Sequence, residues 1–136
     1  MLASMSLPKA YAIVVGVVLI VLGLLGFISN PIVGDVTATS HPIFVTGEAH
    51  NLIHLVTGAL AIYVAFGLMA DQQDLAVTGI GLVYVAIVLL TLINGTLFGV
   101  LAYPVNLPDQ VLHLAIAAAS IGIGLMARSQ GGLAAR

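Results

Sequence analysis

Two short segments hold most of the residues in this chain that could do chemistry. His50-Asn51-Leu52-Ile53-His54-Leu55 is one, and Asp109-Gln110-Val111-Leu112-His113-Leu114 is the other. On a helix, residues four apart share a face, so His50 pairs with His54 and Asp109 pairs with His113. Imidazoles at that spacing beside a carboxylate suit zinc or a similar ion, which makes His50, His54, His113 and Asp109 a candidate metal set. His54 or His113 could instead be an axial ligand to a haem or a chlorophyll-type pigment, because His is a common axial ligand to such a macrocycle. A proton-handling or pH-sensing role is a third use of the same side chains. The metal sets of known hydrolytic and redox bundles are missing: there is no His-Glu-x-x-His and no paired Glu-x-x-His. The chain has no Cys, so thiolate ligation and thiol nucleophiles are excluded. No serine is paired with a general base, and no Gly-rich phosphate loop appears. No catalytic residue is assigned, and the chain is expected not to be an enzyme.

The preferred reading of these residues is structural, with no cofactor. Asn106 before Pro108 reads as a helix start, and Glu48 and Asp109 fall in first turns, where the helix dipole favours acids. With helix starts at Gly47 and Asn106, His54 and His113 lie at equal depth, roughly 10 Å along their helices at 1.5 Å per residue. Asp109 is expected to hold His113, and Asn51 to hold His54. The expected outer polar cluster is therefore Asn51, His54, Asn106, Asp109 and His113, closing one end of a bundle with hydrogen bonds.

The elements that carry these residues are apolar. Hydrophobic residues make up 61% of the 136-residue chain and charged residues 6%, against about 25% charged in soluble domains. A soluble fold so poor in charge could not cover its surface; a bilayer removes the problem. Three Lys and Arg, with a net charge of −2, exclude a nucleic-acid footprint and a polybasic lipid-binding tail. Four apolar runs stand out: Ala10 to Ile28, about Ala49 to Ala70, Leu75 to roughly Val100, and Gln110 to Ala127. Each approaches the roughly 20 residues that cross a bilayer. The first run follows Lys9 in the manner of a signal peptide, but it is longer than an h-region and has a counterpart later in the chain. It is assigned to the fold.

These observations give an all-α, integral membrane four-helix bundle in a single domain, 1–136. The Asp71-Gln72-Gln73-Asp74 stretch reads as a tight turn at one end, with the longer loops Ser29 to Glu48 and Leu97 to Asp109 at the other. Lys9, Arg128 and Arg136 all fall on the side of the termini. The positive-inside rule then puts both termini in the cytoplasm, in a multi-pass protein of the inner membrane. The two His-bearing segments follow one pattern of polar, amide, two aliphatics, His, Leu. That pattern marks an internal repeat of two parallel hairpins, about 8–70 and 74–128, related by an axis along the membrane normal. Small residues mark the expected packing faces: Gly16 and Gly23 on the first helix, and Ala115, Ala118, Ala119 and Gly122 on the fourth.

The paired motifs His50-Asn51-x-x-His54-Leu55 and Pro104-Val105-Asn106-x-x-Asp109-x-x-Leu112-His113 carry a resemblance to a known family. They resemble a bacterial four-helix membrane family catalogued as domain of unknown function 4383, over nearly the whole chain from about Tyr11 to Ala127. The resemblance implies the four-helix topology and no known activity. The first long loop looks longer and more polar than the family pattern implies.

The functional expectation is a small non-catalytic membrane protein, an accessory or scaffold subunit acting by lateral helix contacts. Its partners would be the lipid bilayer and other membrane subunits or further copies of itself, with no nucleic acid. A protein that binds haem, a chlorophyll-type pigment or a metal through the histidines is one alternative. A small channel or transporter is the other. Thr57 and Asn94 are too few to line a path within one chain, so conduction would need an oligomer.

Overall fold

The computed structural model describes residues 5–134, so Arg136, one of the three positive charges used for orientation, lies outside them. Four helices form: α1 Leu7–Leu25, α2 Glu48–Gly67, α3 Ala70–Ile93 and α4 Leu107–Ala134. All four are long and apolar enough to cross a membrane, with α1 alone 19 residues long, or about 28 Å at 1.5 Å per residue.

Local chemistry fixes the helix starts. The Ser6 hydroxyl accepts from the Lys9 amide at 3.4 Å, and Pro8 sits in the first turn of α1, where its missing N–H is harmless. Asn106 Oδ1 accepts from the Asp109 amide at 3.4 Å, capping α4 as the sequence predicts. The α2–α3 connection differs from expectation. It consists of Leu68 and Met69 alone, and Asp71 to Asp74 form the first turn of α3. Gln73 explains this. Its side chain is buried and donates to the carbonyls of Ala65 and Leu68, both at 3.1 Å. The last turn of α2, which has no following helix turn to satisfy its carbonyls, is thus capped from α3.

The packing is pairwise. α1 lies against α2 and α3 against α4, with much sparser contact between the pairs. Both pairs run antiparallel with backbones in close approach. A Cβ on Gly16 would stand 2.9 Å from the Gly58 carbonyl, and one on Gly58 would stand 2.9 Å from the Gly16 carbonyl. In the second pair, a Cβ on Gly81 would stand 2.9 Å from the Ala117 carbonyl. Between the pairs runs a core of Ala12, Val64, Ala65 and Val77 at the end that holds the termini. Val15, Leu19, Tyr84, Ile116 and Ala117 continue it towards the middle. Tyr11 turns inward. Its hydroxyl lies 2.8 Å from Ser120 Oγ and donates to the Ile116 carbonyl at 3.1 Å. The outward faces carry Val14, Val21, Val56, Leu82, Leu89 and Leu114, all exposed, as lipid-facing surfaces are.

The loop between α1 and α2 contains a parallel pair of two-residue strands, β1 Val33–Gly34 and β2 Phe44–Val45, which the sequence does not suggest. Asn30 organises its entry, donating to the carbonyls of Leu25, Ile28 and Val33 and accepting from the amides of Ile32 and Val33. This loop docks on α4 through Asn106 Nδ2, which donates to the Ile43 carbonyl at 2.8 Å.

Candidate metal centre

α2 and α4 each turn two polar side chains into the seam between the hairpins, at the end that carries the long loops. The α2 pair is His50 and His54, with ring centroids 4.5 Å apart. The α4 pair is Asp109 and His113. Asp109 Oδ2 lies 3.2 Å from His50 Nε2, and Asp109 Oδ1 lies 3.5 Å from His113 Nε2. The His113 ring centroid is 5.8 Å from that of His50 and 6.1 Å from that of His54. One ligand atom from each of the four residues falls within a 4.8 Å span. None of the four is more than 4% exposed.

These side chains are poorly satisfied by the protein itself. Neither nitrogen of His54 has a hydrogen-bond partner among the described residues, nor does His113 Nδ1. The Asp109 oxygens sit at ion-pair distance from two imidazoles, yet neither contact has hydrogen-bond geometry. Buried polar atoms are normally paired, so a cluster of orphans calls for an explanation. A carboxyl group at 0% exposure is also costly to bury without a hydrogen-bond partner, and costlier still when charged.

The donor set suits a tetrahedral ion. Zinc binds imidazole nitrogen and carboxylate oxygen at about 2.0–2.2 Å, which makes the edge of its ligand tetrahedron roughly 3.3–3.6 Å. The 3.2 Å and 3.5 Å pairs, made by the two different Asp109 oxygens, are near that edge length, while the full 4.8 Å span must contract by roughly 1 Å to reach it. Three nitrogens and one oxygen form a borderline donor set, suited to zinc and its first-row neighbours and unlike the all-oxygen shells of calcium and magnesium. A macrocycle does not fit between these rings. The cavity beside them, walled by Tyr84, Leu97 and Leu101, holds about 30 Å³, roughly one water's share of liquid volume and far below the roughly 300–1,000 Å³ of ligand pockets.

The polar cluster expected from the sequence is thus regrouped. His54, Asp109 and His113 come together as their spacing predicts, and His50 joins them. Asn51 does not. Its side chain is buried against Gly26, the residue that caps α1, where a Cβ would overlap the amide group, and its Oδ1 has no partner among the described residues. Asn106 also stays apart, serving as the α4 cap and as the loop tether. His41 lies exposed in the first long loop. Tyr84 belongs beside the site, although the sequence reading passes over it: it is 3% exposed, with its ring 5.4 Å from His113. A tyrosine in mid-span, far from the interfacial belts where such residues gather, is the signal that marks it. Gln110 Nε2 donates to Thr91 Oγ1 at 2.8 Å, pinning α4 to α3 beside the cluster.

The packing residues divide. Gly16 and Gly23 are buried, and a Cβ on Gly23 would stand 2.8 Å from the Asn51 carbonyl. The assignment on α4 is corrected: Ala115, Ala118, Ala119 and Gly122 face outward and are exposed, with nothing within 4 Å of a Cβ on Gly122. The inward face of α4 is Asp109, His113, Ile116, Ala117, Ser120 and Gly124. The polar residues decide the rotation, because in lipid they must point into the bundle.

A family model described as domain of unknown function DUF4383 matches residues 9–126. The chain belongs to this family. The match takes in all of α2 and α3, most of α1 and α4, and every member of the metal-type cluster, so the domain of unknown function 4383 family is defined over a region that contains the whole site. No curated protein matches the chain. No solved structure matches it.

Proposed function

We propose that this protein is a multi-pass membrane protein that holds one divalent transition-metal ion, of the zinc type, between its two hairpins. The observation that carries this is the convergence of His50, His54, Asp109 and His113 within 4.8 Å, all buried and largely without partners in the protein. The ion is four-coordinate with protein ligands alone, and a closed shell leaves no position for substrate or activated water. Its role is accordingly non-catalytic. The arrangement of charge supports both termini and the Leu68–Met69 connection facing the cytoplasm, with Lys9 and Arg128 at that end and the metal end outside the inner membrane. The repeated polar-amide-x-x-His-Leu pattern supports an origin of the two ligand pairs in a duplicated hairpin.

The test uses the full chain purified in detergent, stripped with chelator and dialysed against Zn²⁺ or Co²⁺. One ion per chain is expected, with the visible absorption of tetrahedral Co²⁺. His54→Ala and Asp109→Asn should each weaken Zn²⁺ binding by at least roughly 10–100-fold, the loss that even a supporting residue's removal brings. Wild-type protein that takes up no stoichiometric Zn²⁺, Co²⁺, Ni²⁺ or Cu²⁺ would sink the reading.

A separate observation favours a second role, as an accessory or scaffold subunit acting through lateral helix contacts. The small residues Ala115, Ala118, Ala119 and Gly122 are exposed and unused by the bundle, and small outward stripes let helices approach closely in lipid. Gly122→Leu should then weaken self-association or capture of a membrane partner in mild detergent while leaving monomer stability unchanged. Unaltered association would remove this reading.

A further inference from the structure

We infer that the ion is a removable tie between the hairpins, so that metal loading sets whether the loop end of the bundle is closed or open. The inference rests on the proposed metal site. Three observations on the structure support it. The ligands divide two and two: His50 and His54 come from α2 of the first hairpin, Asp109 and His113 from α4 of the second. Each hairpin is locked internally by backbone contact at its glycines, where a Cβ would meet the partner helix's carbonyl at 2.9 Å. Contact between the hairpins is sparse by comparison.

The two ends of that seam are built differently. At the terminal end the hairpins are joined by protein alone. The Leu68–Met69 connection links them covalently, Ser6 Oγ donates to Gln73 Oε1 at 3.3 Å, and Tyr11 reaches Ser120 at 2.8 Å. The core of Ala12, Val64, Ala65 and Val77 fills the space around them. Midway the packing is interrupted by an apolar cavity of about 130 Å³ between α1, α2 and α3. Beyond it the seam holds the four ligand residues beside Ile53, Leu97, Leu101 and Val105, with Gly47 close to Ala102 and Tyr103 and the Asn106 tether to the loop above them. Apolar contact between helices gains no hydrophobic driving force in lipid. A coordinate bond from each of four side chains therefore dominates the loop-end closure.

Without the ion, the Asp109 carboxyl group and the imidazoles are buried with no hydrogen bond between them. Parting the hairpins admits water to these polar groups, which relieves the cost of burying them without partners. The terminal end, tied independently, acts as the hinge. The ligand that drives closure is a free divalent transition-metal ion, and the output is the position of the two long loops.

Spin-label distances test this, and the chain's lack of Cys lets labels be placed uniquely. Leu52→Cys with Val111→Cys spans the seam at the loop end, both positions being exposed. Phe66→Cys with Met126→Cys spans it at the terminal end, and Leu89→Cys with Val111→Cys lies within one hairpin; these positions are exposed as well. Distances are measured in lipid nanodiscs with saturating Zn²⁺ and with chelator, alongside metal content. On chelation the Leu52–Val111 distance should lengthen and broaden by roughly 4–5 Å, about half the spacing of packed helix axes. The other two pairs should not move. An unchanged Leu52–Val111 distance in protein that binds one Zn²⁺ per chain refutes the tie and leaves the metal site standing. Absence of Zn²⁺ uptake refutes the metal site and the tie together. Equal lengthening of all three pairs means the bundle loosens as a whole, which also refutes it.

Discussion

Replacing Gly81 by alanine should destabilise the protein, while the same change at Gly122 should not. At Gly81 the added Cβ would stand 2.6 Å from Ile121 Cγ1, 2.9 Å from the Ala117 carbonyl oxygen and 2.9 Å from the Ile121 amide nitrogen. Ordinary carbon contacts lie at about 3.5–4.0 Å, so the shortfall is roughly half an ångström or more. Two of the three obstructing atoms are backbone of α4 and cannot rotate away. α3 and α4 must therefore separate along the face where both are closest. Overpacking of this kind costs about 1–3 kcal/mol. At Gly122 nothing lies within 4 Å, and alanine gains up to about 1 kcal/mol of helix propensity over glycine. Gly81→Ala gains the same propensity, so the two variants should differ by the overpacking cost alone, about 1–3 kcal/mol. Unfolding by SDS in mixed micelles measures the difference, with Gly79→Ala as a second open-site control, since no atom lies within 4 Å of its Cβ. The reasoning fails if Gly81→Ala unfolds with wild type, or if Gly122→Ala is destabilised as much as Gly81→Ala.

Gln73→Leu should cost about 1–3 kcal/mol in the same assay, because it leaves the Ala65 and Leu68 carbonyls at the end of α2 without their side-chain donor; a neutral result would show that water replaces the cap. Asn30→Ala removes five hydrogen bonds from the entry to the first long loop and should make that loop a site of rapid proteolysis while the four helices persist by circular dichroism. With both termini cytoplasmic, Thr39→Cys should react with an impermeant thiol reagent on intact cells and Gln72→Cys should not; both side chains are exposed, and the reverse pattern would invert the topology. The Thr37 hydroxyl first, and the Thr37 amide next, hold the Asp35 carboxyl below its ordinary value. A lowered carboxyl favours the folded turn above its unfolded value and loses that contribution only as pH falls through the folded one. An NMR titration should therefore find Asp35 ionised when free aspartates near pH 3.9 are half protonated, and Thr37→Val should return it towards them.

Composition and run length alone are enough for the four spans, because a bilayer demands about 20 apolar residues per crossing and tolerates little else. The four-residue spacings of His50 with His54 and of Asp109 with His113 likewise put each pair on one face, since helix geometry is fixed at 3.6 residues per turn. Helix ends are less legible. Asp71 to Asp74 read as a turn because they are polar, and are helical because Gln73 reaches back to cap α2. Helix rotation is the largest gap. A soluble helix reveals its inner face by contrast between apolar and polar sides, but α4 is apolar or small nearly all round, and small residues occur on both of its faces. The line through His113, Ala117, Ser120 and Gly124 is available as a guide, because polar groups in lipid turn inward. Whether His50 or Asn51 joins His54 is not available at all. The two are adjacent in sequence and only 100° apart on α2, and the choice depends on which neighbour each meets. The cap of α1 presents Gly26 to Asn51, and α4 presents Asp109 to His50. The sequence by itself determined the spans and the spacing of the ligands along each helix, both local consequences of chain geometry and solvent. Only the tertiary structure decided that two such pairs meet across the hairpin seam, because that meeting is a property of how the helices are rotated against one another.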